Sequence, residues 1–425
     1  MTTIKKLFFL LIIALPCSLS ASGRVYINIG SPEFKKPVIA FYSKSSDIKS
    51  IESVVISDLI LSNIFIILPK DTMPEAEQRS DIASWSASGA EYLVFLERGD
   101  SNISIKLFNA LTSEQIMDSK MDEQDSYIDT AHDISDAIFK KLTGEKSIFK
   151  TKIAFTCKKD GYKNLYTMDY DGRRIKQLTF FKSIIISPSW SPDGENIAYA
   201  RYEKRHQMGV GRITNQNLYM FNLRRQRETI ISEVSGQNSG PSWSPDGKYI
   251  AFTMSKGVNP NIYLYNVSSK ETTPLVQNRG IDVEPNFSPD GKWLVFSSSK
   301  TGNPELYKMD LETKQQTRLT FNRYYNSSPS WSPSGNVIAF AGLDNPFGSR
   351  SYFDIFLINP SATTIERLTI DTGNNEDPSW SPNGRHIVFS STRNGGSDIY
   401  LIHNDGTGEK RLTYGMPCYS PDWSI

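Results

Sequence analysis

Six acidic or amide side chains stand at one recurring position, each directly before Leu or Ile and an aromatic residue: Asn164, Asn217, Asn261, Glu305, Asp354 and Asp398. Gathered on one axis they could form a ring of oxygen ligands for a hard cation such as Ca2+. Their presence in every copy of the unit favours another role, hydrogen bonding at a strand edge inside each copy. Asp193, Asp246 and Asp290 each lie in Ser-Pro-Asp-Gly and read as turn residues. The four histidines, His132, His206, His386 and His403, are far apart in sequence and read as surface or packing residues. H-E-x-x-H, C-x-x-C and a Walker A loop are missing, and so is the G-x-S-x-G elbow that exposes a nucleophilic serine. The chain is therefore expected to have no catalytic residues, no metal and no cofactor.

The elements carrying these positions are six copies of one unit. A string of the form P-x-(W/F/Y)-S-P places its aromatic at Trp190, Trp243, Phe287, Trp331, Trp380 and Tyr419, 39 to 53 residues apart. That is around the roughly 40–50-residue period of propeller blades. After the first five comes Gly and then a β-forming run such as Ile250–Thr253, followed by the polar-Leu/Ile-aromatic string and a last Leu-Thr-like strand. Pro at the second turn position and Gly at the fourth make each Ser-Pro-Asp-Gly a tight hairpin. The aromatic before it is large enough to wedge between adjacent sheets. The fold class expected is an all-β six-bladed β-propeller over residues 151–425, with WD40/PD40-like repeats, preceded by a small α/β domain over residues 22–150.

The array enters with the second strand of a unit at Lys152 and leaves with the first strand of one at the C-terminus. A closing strand of about Cys418–Ile425 is therefore expected to pair with Ile153–Thr156 and remove two open edges. With Tyr419 taken as the sixth repeat aromatic, Cys418 aligns with Ser242 and Cys157 with Met254. These positions would stand about three strand residues, or ~10 Å, apart. A disulfide tolerates roughly 7 Å, so two free thiols are expected.

Before the array, Val38–Tyr42, Phe65–Leu68, Tyr92–Leu96 and Ile103–Phe108 read as strands. Asp47–Ser62, with Ser46 as cap, Glu75–Ser88 and Asp125–Thr143 read as helices, the last with Tyr127, Ala131, Ile134, Ile138 and Leu142 on one face and Gly144 as its stop. Residues 1–21 have the form of a cleaved secretory signal: Lys5 and Lys6, the apolar run Leu7–Leu15, then small residues. The run is shorter than the ~20 apolar residues that span a bilayer, so an exported protein not itself embedded in a membrane is expected. The 425 residues carry 47 basic and 46 acidic side chains and a formal charge of +1, with 38% hydrophobic and 12% aromatic residues. Such balance excludes a nucleic-acid footprint, and the apolar content excludes a disordered chain.

What remains is surface. The loops entering the P-x-W-S-P strands converge on one mouth of the channel, and Tyr324 and Tyr325 beside polar residues suit a protein-binding rim. Taken with Ser57-Asp58-Leu59, Trp85-Ser86-Ala87, Ala131-His132 and Leu142-Thr143-Gly144 upstream, the chain resembles the TolB family, the periplasmic propellers of the Tol–Pal envelope machinery. The resemblance runs over nearly the whole mature length. It implies a non-enzymatic monomeric adaptor whose rim binds Pal, the peptidoglycan-associated lipoprotein, and whose N-terminal arm binds the C-terminal domain of TolA. It also implies support of outer-membrane integrity and of constriction at cell division, exploitation by colicins for import, and contacts with other outer-membrane proteins. Carried onto this chain, the Pal-facing residues are Gln237, Asn238, Gly240, Val283 and Glu284, with Tyr325, Asn326, Asn375 and Glu376 added by repeat equivalence. The TolA-binding arm is Arg24, Val25, Tyr26, Ile27, Asn28 and Ile29, an alternating segment suited to strand addition; Arg24 stands where the family commonly has an acidic residue. The competing reading is a secreted propeller enzyme, lactonase-like or glycan-cleaving, with a metal in its channel. A scaffold without Pal or TolA as partners is the third.

Overall fold

A computed structural model describes residues 35–424 apart from 44, 76–80, 208–210, 257–258, 322–323, 344–351 and 371. The signal segment and the Arg24–Ile29 arm lie outside the described residues.

The N-terminal region is a five-stranded sheet built from β1 (Val38–Ser43), β2 (Ile66–Ile67), β3 (Tyr92–Arg98), β4 (Asn102–Asn109) and β5 (Glu114–Asp122), in the order β2-β1-β3-β4-β5. β1 pairs in parallel with β2 and β3, while β3, β4 and β5 form an antiparallel meander. Alternation along β1 divides two layers, as a pleated strand requires. Ile39 and Phe41 join the helices α1 (Lys49–Leu61) and α3 (Tyr127–Thr143) on one face. Ala40 meets Trp85 of the short α2 (Ile82–Ala87) on the other. α3 starts on the Ser126 side chain and stops at Gly144 in the left-handed region (φ 74°), which glycine adopts without a Cβ clash. Four readings need correction, the first being the helix read over Glu75–Ser88, which among the described residues runs only Ile82–Ala87 with Asp81 at its N-cap. α1 has Ile48 at its N-cap with no side-chain cap bond, so Ser46 contributes only its carbonyl. Tyr127, the first residue of α3, is 51% exposed and is not part of the helix's buried face, which begins at Thr130. β5 was not anticipated: its exposed, charge-rich sequence carries no apolar alternation and it is held by pairing to β4.

From Lys152 onward the chain forms six four-stranded antiparallel sheets. In five blades the inner strand begins at one mouth of the channel, runs to the Ser-Pro-x-Gly turn, and returns through two further strands and a short outer one. The closing strand Cys418–Trp423 pairs with Lys152–Lys159, so the last strand completes the first blade. Every inner strand carries the same bulge: two residues, the second a proline, oppose one aromatic of the neighbouring strand. The first of the two has positive φ in all six blades, at Ser187, Gly240, Glu284, Ser328, Asp377 and Ser420. The opposed aromatic stacks across the hairpin on another, as in Phe155–Tyr166 and Phe389–Tyr400.

This bulge corrects the cysteine expectation. The inner-strand register pairs Trp243 with Ile250 and Asn238 with Met254; the closing strand pairs Trp423 with Ile153 and Cys418 with Cys157. The sixth repeat aromatic is therefore Trp423, not Tyr419, and the assumed alignment was four residues out of step. With the extra residue of the bulge taken up, the two cysteines are cross-strand neighbours and form a disulfide.

The recurring polar residue behaves as the within-unit reading expects. Glu305, Asp354 and Asp398 accept from Thr320, Thr369 and Thr413, just after their own outer strands, and each also pairs with an arginine of that strand, Arg318, Arg367 or Arg411. Glu305 and Asp354 also accept from Asn326 and Asn375 of the next blade's inner strand, so these carboxylates are committed within and between blades and form no axial ring.

Candidate functional site: the channel mouth and the junction beneath it

The channel has two differently built ends. At the Ser-Pro-x-Gly end, Trp190, Trp243, Phe287, Trp331, Trp380 and Trp423 surround a cavity of about 470 Å3. Here the blades are zipped by side chains that accept the N–H of the next blade's aromatic. Asp422 takes Trp190 at 2.7 Å, Asn286 takes Trp331 at 2.8 Å and Ser379 takes Trp423 at 3.0 Å. Burial pushes the Asp422 carboxyl up to about 7 against the bonds it accepts from the Trp190 N–H and the Ser379 hydroxyl.

At the opposite mouth the bulge residues form the throat. Glu284 Oε2 accepts the Ser328 N–H at 2.7 Å, and Asp377 accepts from the hydroxyls of Ser328 (2.9 Å) and Ser420 (2.8 Å), so one acid ties together three neighbouring blades. The left-handed backbone turns these side chains into the channel, a conformation non-glycine residues hold only when their surroundings enforce it. Burial, reinforced by the charges of Asp377 and Glu376, pushes Glu284 up to about 7. Burial and Asp377 do the same to Glu376. Lys163 lies 3.7 Å over the Tyr419 ring; burial lowers its pKa against the pull of Asp377. The throat is thus acidic, and its charge changes near neutral pH.

Around it runs an apolar collar. After the Leu-Thr of the outer strands stand Phe180, Phe321, Ile370 and Tyr414, between 58% and 77% exposed, with Ile281, Tyr324 and Tyr325 also exposed in the loops that lead inward. Nothing in the strand pattern requires large apolar side chains there, and an exposed apolar patch is of the kind that meets a protein, a ligand or a membrane.

The residues expected at this rim separate into two groups. Gln237, Gly240, Val283, Glu284, Tyr325 and Glu376 stand at the mouth and are partly exposed. Asn238, Asn326 and Asn375 are fully buried. Asn238 donates to the Gln216 and Val234 carbonyls, both at 2.7 Å. Asn326 donates to Glu305 (2.9 Å), and Asn375 is held between Asp354 (3.1 Å) and Arg393 (2.8 Å). These three shape the loops and cannot reach a partner. Asp377, Ser328, Ser420 and Lys163 were missed. The residue before the repeat proline was the available signal, but its inward turn depends on the bulge.

Beneath the propeller, on the Ser-Pro-x-Gly side, the N-terminal region is joined through charge. Asp58 of α1 accepts from Tyr170 (2.6 Å), Ser135 (2.7 Å) and His132 Nδ1 (2.9 Å). The other His132 nitrogen lies 3.9 Å from Asp169, which also pairs with Lys152 and Arg174. Burial disfavours the imidazolium, yet the two carboxylates prevail and hold His132 up at about 9. Although Ser, His and Asp meet here, the Ser135 hydroxyl bonds Asp58 and the Ala131 carbonyl, and all three side chains are buried. This is a domain junction and not a nucleophilic triad. His386 completes it by bonding the Leu61 carbonyl at 2.8 Å. Among the described residues no group of three or more His, Cys, Asp or Glu is placed to hold a metal ion.

The model of the TolB beta propeller domain family matches residues 139–351. The chain belongs to that family. It is 31% identical over 231 residues to the Tol-Pal system protein TolB of Alcanivorax borkumensis, covering 52% of this chain and 51% of the relative. It is also 31% identical over 254 residues to that of Desulfotalea psychrophila, covering 56% and 54%. The alignments thus span about half the length of these curated relatives. The crystal structure of TolB from Acinetobacter baumannii superposes with a TM-score of 0.79 at 26% identity, covering 92% of this chain and 97% of that one. The TolB likeness therefore extends through the α/β region as well as the blades. No helix among the described residues is long and apolar enough to cross a membrane.

Proposed function

We propose that this chain is a non-enzymatic periplasmic adaptor of a Tol–Pal complex. Its acidic throat and apolar collar bind Pal, and its N-terminal arm, Arg24–Ile29, adds as a strand to the C-terminal domain of TolA. The complex supports outer-membrane integrity and constriction at division. The observation that carries the reading is the collar: Phe180, Phe321, Ile370 and Tyr414 are exposed around one mouth of the channel, in a chain whose relatives are named Tol-Pal system proteins. The side chains that could have done chemistry support it too. The repeated carboxylates are paired within their blades, and the buried Ser-His-Asp group joins two domains. The signal-like residues 1–21 support export.

The test is binding of purified Pal to the combined variant Glu376→Arg and Tyr325→Ala. Both residues stand at the mouth, and neither is fully buried. Affinity is expected to fall at least about tenfold, the scale of a lost hot spot, with the thermal midpoint within about 2 °C of wild type, as for surface changes. Wild-type affinity in this variant removes the mouth from the Pal site.

A further inference from the structure

Blade two departs from the other five in its middle hairpin. The strands Asn196–Gln207 and Gly211–Asn222 are 12 residues each, whereas their counterparts elsewhere have five to eight. The inner strand accompanies this hairpin only to the Arg201–Ile185 pair, with one further bond from Tyr202 N–H to the Ile184 carbonyl. The outer strand accompanies it only to Leu218–Ser232, with one further bond from Gln216 N–H to the Gly236 carbonyl. From the Lys204–Thr214 pair to the Gln207–Gly211 pair the hairpin pairs with itself alone among the described strands. It projects ~13 Å past the sheet at about 3.3 Å per residue, on the side of the apolar collar. Such a projection presents strand edges whose backbone groups can pair with another chain.

A groove of about 700 Å3 lies between this hairpin and the hairpin turn of blade one at Tyr162. Its floor is Arg201, stacked on the Phe181 ring at 4.0 Å and paired with both Glu203 and Glu228. Tyr162, Ile184 and Tyr202 expose apolar surface along it. Lys182 and Lys204 line it and are exposed; Lys158 and Lys159 follow at the blade-one turn, where Asp160 is the neighbouring acid. In a chain of net charge +1 this is a local positive excess.

We infer that this groove docks an acidic, extended polypeptide segment of a partner protein. The segment adds as a strand to the free edge of the blade-two hairpin, and its carboxylates reach Lys182 and Lys204. The open edge favours a polypeptide over an anionic lipid or glycan: backbone donors and acceptors at strand spacing match another backbone, and a headgroup has no such ladder. Apolar surface at Tyr162, Ile184 and Tyr202 suits the alternate side chains of an extended segment. The inference is independent of the reading of the throat as a Pal site.

The experiment uses the full chain and a fluorescein-labelled peptide of five Glu-Val repeats, read by anisotropy at low salt, with five Lys-Val repeats and phosphatidylglycerol vesicles as alternative probes. The acidic peptide is expected to bind and the basic one not. The double substitution Lys182→Glu and Lys204→Glu is expected to weaken binding at least about tenfold. Replacing Lys204–Thr214 by Asn-Gly, a two-residue turn that recloses the hairpin, is expected to abolish it. Both variants should keep the wild-type melting temperature and Pal affinity. Failure of the acidic peptide to bind, undiminished binding by either variant, equal binding of the basic peptide, or binding of vesicles without the peptide would each overturn the inference.

Discussion

Reduction of the Cys157–Cys418 disulfide, or the substitution Cys157→Ser, is expected to lower the unfolding free energy by about 3–5 kcal/mol. The bond joins the first strand of the propeller to its last across 261 residues of sequence, so its loss frees a very large loop in the unfolded chain. The native consequence is local to the closing strand. Tyr419, Asp422 and Trp423 pair with the first blade, and Trp423 Nε1 donates to the Thr151 hydroxyl at 2.8 Å. Without the cross-link the ring is held shut by strand pairing and packing alone. Urea unfolding with and without dithiothreitol measures the effect, and the expected sign is a lower midpoint under reduction. An identical midpoint for the Cys157→Ser variant and the oxidised wild type would show that the cross-link adds nothing to stability. An exported protein meets the oxidising conditions in which such a bond persists.

The second large effect is expected at the domain junction. His132→Ala should cost about 3–5 kcal/mol, because it leaves the buried Asp58 and Asp169 carboxylates without their shared cation. The same group gives a pH signature. His132 is raised to about 9 in the folded chain, against about 6.5 when unfolded, so its contribution is complete below about pH 6.5 and is lost as pH rises through about 9. That difference corresponds to up to about 3 kcal/mol. Asp169 has the opposite sense. Burial raises its pKa, but His132, Arg174 and Lys152 together hold it well below the usual carboxylate range, so its contribution disappears on strong acidification. Unfolding free energies at a series of pH values between 6 and 10 separate the two. The wild type should lose stability across that interval, and His132→Gln should lose much less. A wild type as pH-dependent as the variant would mean that His132 carries no proton at the junction.

The likeness to the Acinetobacter structure covers 92% of this chain. Bonds from Tyr170 to Asp58 and from His386 to the Leu61 carbonyl tie the α/β region to the propeller. Tyr170 belongs to the core shared by both, alongside Ile134, Phe149 and Trp423.

How much could be read from the chain in advance depends on the range of the interaction. The blade units were legible because their causes are local. Pro and Gly at set turn positions, alternation in the strands and one aromatic per repeat each act within a few residues, and the six recurrences made the architecture visible. The collar residues Tyr324 and Tyr325 were noticed for the same reason. The polar residues at the start of the inner strands were legible as positions but not as roles. Asn238, Asn326 and Asn375 carry the same side chain as a rim contact would, and only the packed loops show their amides spent on neighbouring carbonyls and acids.

The bulge shows where sequence reasoning stopped. Composition, repeat period and turn chemistry determined by themselves that this chain forms a ring of small sheets, since those features depend on propensity and spacing. Which residues meet across the closing strands was decided only in three dimensions. The closing strand aligns on Trp423 and not Tyr419, a four-residue step, and the extra residue before the proline shifts the register once more, bringing Cys418 opposite Cys157. The junction of Asp58, His132, Asp169 and Tyr170 likewise joins positions up to 112 residues apart. No short-range pattern reports such a meeting, because the attraction between the His132 cation and the two carboxylates, which outweighs the cost of burying them, acts only once the folded elements have brought them together.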